Sequence, residues 1–146
     1  MLMPFLEAAE RGGLLFDGAM GSLLYERGVF LTHCFEQVSL TQAPLVRQIH
    51  EEYLQAGARV LTSNTFGANR LKLERHGLAD DLEAMNRASV KIAREVAGGR
   101  AYVAGSVGPS GLSFEQLTGP GGGSALWAIE EQIDLLKGEF EVADGW

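Results

Sequence analysis

Short apolar runs along this chain are separated by longer stretches in which apolar residues recur at helical spacing. The runs lie at residues 14–16, 60–62 and 101–107, and each is bounded by glycine or polar residues, which is typical of strands. The stretches at 41–56, 80–97 and from residue 124 onward have the spacing of amphipathic helices. Because strands alternate with helices, the pattern predicts parallel pairing and an α/β fold.

The pattern also predicts where several of these elements begin and end. Thr41 is the expected cap of the stretch at 41–56, Pro44 suits its first turn, and Gly57 is the expected left-handed end. Shorter helices are predicted over 4–11 and 68–76. Ser124 is expected to cap the last helix, and Val142–Trp146 indicates the entry to a fourth strand. The predicted buried face of that last helix comprises Leu126, Ile129, Ile133 and Leu136.

Polar residues and glycines follow each predicted strand, where (β/α) barrels build their active sites. Asp17 either accepts hydrogen bonds from an ammonium group or forms an Asp-Gly turn. Asn64 and Thr65 either orient a polar ligand or cap the next helix. Gly108, before Pro109, either lets a ligand approach the backbone or turns the chain.

A nucleotide-binding fold is disfavoured by the same segments. The first strand is followed by D-G-A-M-G-S instead of G-x-G-x-x-G, and the second ends in Thr62-Ser63-Asn64, without an acidic residue. The glycine loop at 119–123 lacks a following Lys-Ser/Thr pair, so it is interpreted as a surface loop and not as a phosphate-binding loop.

Composition narrows the class of protein further. The 146 residues are 46% hydrophobic and 21% charged, which is typical of a single globular domain. The net charge of −7 argues against nucleic acid or an anionic membrane as partner, and no apolar run approaches the ~20 residues of a membrane span. Cys34 is the only cysteine, and no secretory segment is evident, so we expect a cytoplasmic protein without an intrachain disulfide.

Four motifs in order resemble the homocysteine S-methyltransferase family: D-G-A-M-G from residue 17, L-T-x-x-x-L-V-R-x-I-H-x-x-Y-x-x-A-G-A from residue 40, N-T-F-x-A-N from residue 64 and Y-V-A-G-S-V-G-P from residue 102. The resemblance extends from about residue 14 to residue 111, and weakly to residue 144. Residues 24–30 look most like the bacterial bifunctional members, which also carry a methylenetetrahydrofolate reductase domain.

This resemblance implies a (β/α)8 barrel in which zinc binds the sulfur of homocysteine and a donor, a folate in some members, supplies the methyl group of methionine. Residues 1–146 would be the N-terminal part of that barrel domain, about three βα units plus the start of a fourth strand, against the ~250 residues of a full barrel. The resemblance implies that Asp17 holds the substrate amino group and that Gly18 and Ser63 lie near its amino-acid end. Asn64 and Thr65 complete the expected substrate-binding set.

The chain also departs from the family. The three zinc-binding cysteines of relatives would lie beyond residue 146, Cys34 matches none of them, and His33 and His50 do not complete a site. His50 is interpreted as a packed or capping residue of the predicted helix. Thr62, Ser63 and Ser22 replace a glutamate and two threonines common in relatives. We therefore expect no catalytic residue and no metal ligand in this chain, and no activity from it alone. The alternatives are a non-catalytic half barrel that binds a ligand or self-associates through its open edge, and another barrel enzyme with Asp17 as general base.

Overall fold

A computed structural model describes the backbone of residues 2–144 and the side chains of residues 2–139. Its helices are α1 Phe5–Gly12, α2 Gly21–Glu26, α3 Val38–Thr41, α4 Ala43–Gln55, α5 Arg70–Glu74, α6 Leu82–Ala97, α7 Phe114–Thr118 and α8 Gly122–Asp144. Its strands are β1 Val60–Thr62 and β2 Tyr102–Ala104, and 3-10 turns cover Phe35–Gln37 and Ala79–Asp81. Among residues 2–144, no helix is both long enough and apolar enough to cross a bilayer.

The two strands form a parallel pair, with Val60 opposite Tyr102 and Thr62 opposite Ala104. Phe16 adds a single parallel bridge on the other side of Val60. The predicted strand at 60–62 is confirmed, and the third run, 101–107, contributes a strand only over Tyr102–Ala104. The run at 14–16 contributes this one bridge instead of a full strand, because Asp-Gly follows at once and both residue types disfavour strands.

The core lies where α4 and α6 pack together and against the sheet. Val46 and Ile49 of α4 are buried with Ile92 of α6, and Leu61 of β1 is buried with Val96. The helix predicted over 80–97 is therefore confirmed, with its apolar face inward. Gly98 ends α6 in a left-handed conformation at φ 51°, which favours glycine.

The predicted cap of α4 is wrong, and one of the two interpretations of Asn64 and Thr65 is excluded. α4 begins at Ala43, and Thr41 belongs to the preceding α3, where its hydroxyl donates to the Gln37 carbonyl. Asn69, and not Asn64 or Thr65, caps α5: its side chain accepts the Lys72 N–H at 3.1 Å. The capping interpretation of Asn64 and Thr65 is thereby excluded.

The last helix differs most from its prediction. α8 begins at Gly122, and Ser124 lies inside it with its hydroxyl bonded to the Gly121 carbonyl. Its most buried positions are Ala125, Ala128, Gln132 and Leu136. Of the predicted face, Leu136 is buried, Ile129 and Ile133 are half-buried, and Leu126 is 62% exposed. Small residues and a hydrogen-bonded glutamine thus form the contact face, which an apolar pattern does not reveal.

The prediction that a fourth strand begins at Val142 is also wrong for residues 142–144. α8 continues through Asp144, since the sequence from Glu130 to Asp144 contains no proline and only one glycine. Gly145 and Trp146 lie outside the described residues.

Candidate functional site

Asp17 lies directly after the bridge residue Phe16, at the carboxyl-terminal edge of the sheet. Its N–H donates to the Val60 carbonyl at 2.9 Å, and its Oδ2 accepts the Thr62 N–H at 2.8 Å. The side chain is only 3% exposed, and Oδ1 has no hydrogen-bond partner among the described residues. The backbone of β1 therefore fixes the carboxylate while one buried oxygen stays unused.

Burial is the largest influence on this carboxyl group. It raises the pKa of Asp17 above its ordinary value, and the hydrogen bond from Thr62 acts in the opposite direction. A buried acceptor without a partner costs about 1–3 kcal/mol. The surroundings of Asp17 consequently favour the arrival of a hydrogen-bond donor, especially a cationic one.

His50 of α4 faces Asp17 from the core. Its Nδ1 lies 3.8 Å from Asp17 Oδ2, which is too long for a hydrogen bond, and both ring nitrogens are buried without a partner in the described structure. Burial lowers the pKa of His50 to about 4, so the imidazole is neutral at pH 7. The two groups therefore do not form a salt bridge. The full burial of His50 agrees with a packed residue and not with a helix cap. The position of its ring beside Asp17 was not predicted.

Gly18 lies against the side chain of Tyr53, and Tyr53 follows His50 by one turn of α4. The Tyr53 hydroxyl donates to the Ala19 carbonyl at 2.8 Å. A Cβ at Gly18 would be 2.7 Å from that hydroxyl oxygen, so only glycine allows this approach. Helix α4 thus contacts the chain on both sides of the Asp17–Gly18 peptide.

Ser63 and Thr65, which follow β1, form a closed hydrogen-bonded ring with Ser106, which follows β2. The Thr65 hydroxyl donates to the Ser106 carbonyl at 2.7 Å, and the Ser106 N–H donates to Ser63 Oγ at 3.2 Å. The two side-chain hydroxyls are 2.8 Å apart. Because Thr65 has only one hydroxyl proton, Ser63 is the donor in that third bond. The ring joins the two strand ends.

Asn64 turns away from this ring into the interior. Its side-chain amide donates to the Phe35 carbonyl at 2.8 Å and to Ser39 Oγ at 3.2 Å, and its backbone carbonyl accepts from the Ser89 hydroxyl at 3.0 Å. These bonds tie the loop after β1 to the turn before α3 and to α6. The structure therefore places Asn64 behind the loop, while Asp17 and Gly18 are together beside α4.

Glu36 and Cys34 support the same loop. Glu36 accepts the Gly67 N–H at 2.6 Å and the Cys34 thiol at 3.3 Å. Burial raises the pKa of Cys34 to about 11, so the sulfur is a neutral thiol at pH 7. Such a thiol does not fit zinc, which binds thiolate. Within the described part of the chain, no group of three or more His, Cys, Asp or Glu residues is placed to hold a metal ion.

Gly108 permits a close contact within the chain. Its N–H donates to the Phe66 carbonyl at 3.0 Å, and a Cβ there would be 2.3 Å from that oxygen. The space beside the Gly108 backbone is therefore filled by the loop that follows β1.

The sequence pattern singled out Asp17 and the residues after β1, but it left out the supports behind them. His50, Tyr53, Glu36 and Ser106 all contact that set. The H-x-x-Y spacing was the available signal, since residues three apart share one helix face.

The sequence from residue 14 to residue 139 matches the family model described as Homocysteine S-methyltransferase. Methionine synthase of Mycobacterium leprae (strain TN) is 32% identical over 116 residues, which are 71% of this chain and 10% of that protein. Methionine synthase of Mycobacterium tuberculosis (strain ATCC 25618 / H37Rv) is 31% identical over 116 residues, again 71% of this chain and 10% of that protein.

Two solved structures of the homocysteine methyltransferase MmuM from Escherichia coli are also similar. The metallated form has a TM-score of 0.76 at 23% identity and covers 94% of this chain and 54% of that chain. The oxidized form has a TM-score of 0.71 at 25% identity, with 86% and 49% covered. This chain thus spans about half the length of MmuM and a tenth of the methionine synthases. With most of its length matched by the family model, the chain belongs to the homocysteine S-methyltransferase family.

Proposed function

We propose that this chain forms the amino-acid-binding part of a domain that transfers a methyl group to the thiol of homocysteine and so produces methionine. One observation carries the proposal: Asp17 is held at the sheet edge by Thr62, with a second, buried carboxylate oxygen that has no partner among residues 2–139. Family membership supplies the substrate class.

The α-ammonium group of an amino acid suits this carboxylate. It would donate charge-assisted hydrogen bonds to Asp17 and remove the cost of the unpaired acceptor. The backbone at Gly18 and the loop containing Ser63 and Thr65 follow neighbouring strands at the same sheet edge. In this proposal they surround the amino-acid end of homocysteine, and Asn64 holds the loop from behind.

In this proposal the residues of this chain bind and orient the substrate, and activation of its sulfur is expected from zinc ligands elsewhere in the domain. The only thiol is a buried, neutral Cys34, and the described residues hold no metal cluster. The zinc ligands beyond residue 146, the folate donor and the cytoplasmic location implied at the outset remain predictions.

The sheet supports a larger architecture. In the described part, β1 has neighbours on both sides, whereas β2 pairs only with β1. An open strand edge presents unpaired backbone groups. We propose that further βα units continue the sheet from β2 toward a (β/α)8 barrel.

The alternative of a self-associating half barrel is favoured by apolar side chains on the outer helices. Phe114 of α7 is 78% exposed, and Leu126 and Trp127 of α8 are more than half exposed. In that case sedimentation velocity would show a dimer whose dissociation increases when Leu126 and Trp127 are replaced by polar residues.

Calorimetric titration of the chain with reduced L-homocysteine tests the substrate proposal. The matched ligand is 4-mercaptobutyrate, which keeps the thiol and carboxylate and lacks the α-amino group. We expect Asp17→Asn to weaken homocysteine binding at least about tenfold, because a charge-assisted bond is worth about 1.5–3 kcal/mol, and to leave 4-mercaptobutyrate unchanged. Equal homocysteine affinity in the variant would contradict the proposal. Methyl transfer recovered by adding a fragment with the later strands would extend the test to activity.

A further inference from the structure

Three buried polar atoms without hydrogen-bond partners belong to one pair of residues. They are Oδ1 of Asp17 and both ring nitrogens of His50. The His50 side chain is fully buried, the Asp17 side chain is 3% exposed, and His50 Nδ1 is 3.8 Å from Asp17 Oδ2. Since buried polar groups are hydrogen-bonded in nearly all native proteins, such a pair requires an explanation.

The chemistry of imidazole supplies one. A neutral histidine carries a proton on one ring nitrogen and a lone pair on the other, so it always has one N–H to donate. The acceptor beside Nδ1 is Oδ2 of Asp17, which uses one lone pair for Thr62 and has another available. A movement of less than about 1 Å would bring the two atoms to the 2.7–3.2 Å of a hydrogen bond.

The same helix face already holds the neighbouring backbone. Tyr53, three residues after His50, donates to the Ala19 carbonyl and closes the space that a side chain at Gly18 would need. Helix α4 therefore presents two polar side chains, one turn apart, to the segment that contains Asp17. Tyr53 forms a hydrogen bond to this segment, whereas His50 lies just beyond hydrogen-bond distance from Asp17.

We propose that His50 is a positioning residue of the amino-acid site: its Nδ1–H donates to Asp17 Oδ2 and holds the carboxylate so that Oδ1 faces the ligand ammonium. Tyr53 fixes the backbone of the same segment. The identity of the ligand rests on the proposed function above, whereas the bond between His50 and Asp17 does not.

Nitrogen-15 NMR of the histidine rings tests the bond directly in the wild-type chain. We expect a neutral His50 with its proton on Nδ1 at pH 7, and a downfield Nδ1 proton that disappears in Asp17→Ala. A proton on Nε2, or a charged ring, would overturn the proposal. This readout needs neither ligand nor activity, and it distinguishes a bonded histidine from one that only fills space.

Variants then connect the bond to binding. His50→Leu removes the donor, His50→Asn places an amide donor near the Nδ1 position, and exposed His76→Leu is the matched control. A hydrogen bond worth about 0.5–1.5 kcal/mol predicts about 2–12-fold weaker homocysteine binding in His50→Leu, partial recovery in His50→Asn and no change in the control. Affinity for 4-mercaptobutyrate should not change.

The possible failures are distinguishable. Homocysteine binding that depends on Asp17 but is unaffected by His50→Leu would overturn the positioning role and leave the proposed function intact. Binding that does not depend on Asp17 would overturn the proposed function, while the wild-type tautomer would still decide whether the two residues are bonded. If His50→Leu does not fold, the tautomer and the Asp17→Ala comparison decide alone.

Discussion

Oδ2 of Asp17 accepts the Thr62 N–H at 2.8 Å, so this side chain ties the segment after Phe16 to the end of β1, while its Oδ1 has no partner among the described residues. A second hydrogen bond, from the Asp17 N–H to the Val60 carbonyl, holds the same residue to β1. Because β1 holds Oδ2, the carboxylate cannot turn toward solvent without losing a sheet contact.

Asp17→Asn should stabilise the free chain at neutral pH. The amide keeps an oxygen for Thr62 and removes the buried charge, and we expect a gain of about 1 kcal/mol in the free energy of unfolding. Burial raises the folded-state pKa of Asp17, so wild type is relatively most stable below the ordinary pKa near 3.8 and loses stability as pH rises through the folded value. Urea unfolding should therefore show a larger advantage of the variant at pH 7 than at pH 3. An equal difference at both pH values, or the same difference in exposed Asp80→Asn, would contradict this.

His50 should lower the stability of the folded chain as pH falls, which is opposite to the effect of Asp17. Its pKa falls from 6.5 to about 4 in the folded state, so the unfolded chain binds a proton first as pH decreases. Stability should decline between pH 6.5 and 4, by up to about 3 kcal/mol if the shift is fully expressed. His50→Leu should lack this part of the decline, and exposed His76→Leu should retain it. Parallel unfolding curves for wild type and His50→Leu across this range would show that burial does not perturb the imidazole.

Gly108→Ala should destabilise the contact between the loops that follow β1 and β2. The added carbon would be 2.3 Å from the Phe66 carbonyl oxygen, so the backbone must move. Overpacking of this kind costs about 1–3 kcal/mol. Gly121→Ala is the matched control, since nothing lies within 4 Å of its Cβ position and its φ is not in the left-handed range. Thermal unfolding compares the two, and equal melting temperatures would refute the close approach.

The long amphipathic helix α6 and the strand at 60–62 were predictable because burial and local preference agree there. Leu82, Met85, Ile92 and Val96 are all buried, as their spacing predicts. The buried face of α8 is only partly predictable: Leu136 is buried as expected, but Gln132 is also fully buried and donates to the Thr65 carbonyl at 2.6 Å, a tertiary bond that apolar spacing does not encode.

The candidate site was predictable only in part, for a similar reason. Asp17 was identified from its position after a strand, which is local information. The partnership of Asp17 with His50 joins residues 33 positions apart, and the one between Thr65 and Ser106 spans 41. Each depends on how α4 or β2 packs, and a single sequence carries no direct signal of that packing.

Ser63→Ala tests the hydrogen-bonded ring that joins the two strand ends. It removes the acceptor of the Ser106 N–H and the donor to Thr65 Oγ1, and Ser63 is only 3% exposed. Leaving such groups unpaired costs about 1–3 kcal/mol, whereas Ser22→Ala, at an exposed serine, should change stability by less than about 0.5 kcal/mol. Because Thr65 belongs to the same ring, Thr65→Val should lose much of its own effect when combined with Ser63→Ala. A double-mutant cycle by urea unfolding measures this coupling. Additive effects would mean that the hydroxyls act independently and that the strand ends are held together by backbone pairing alone.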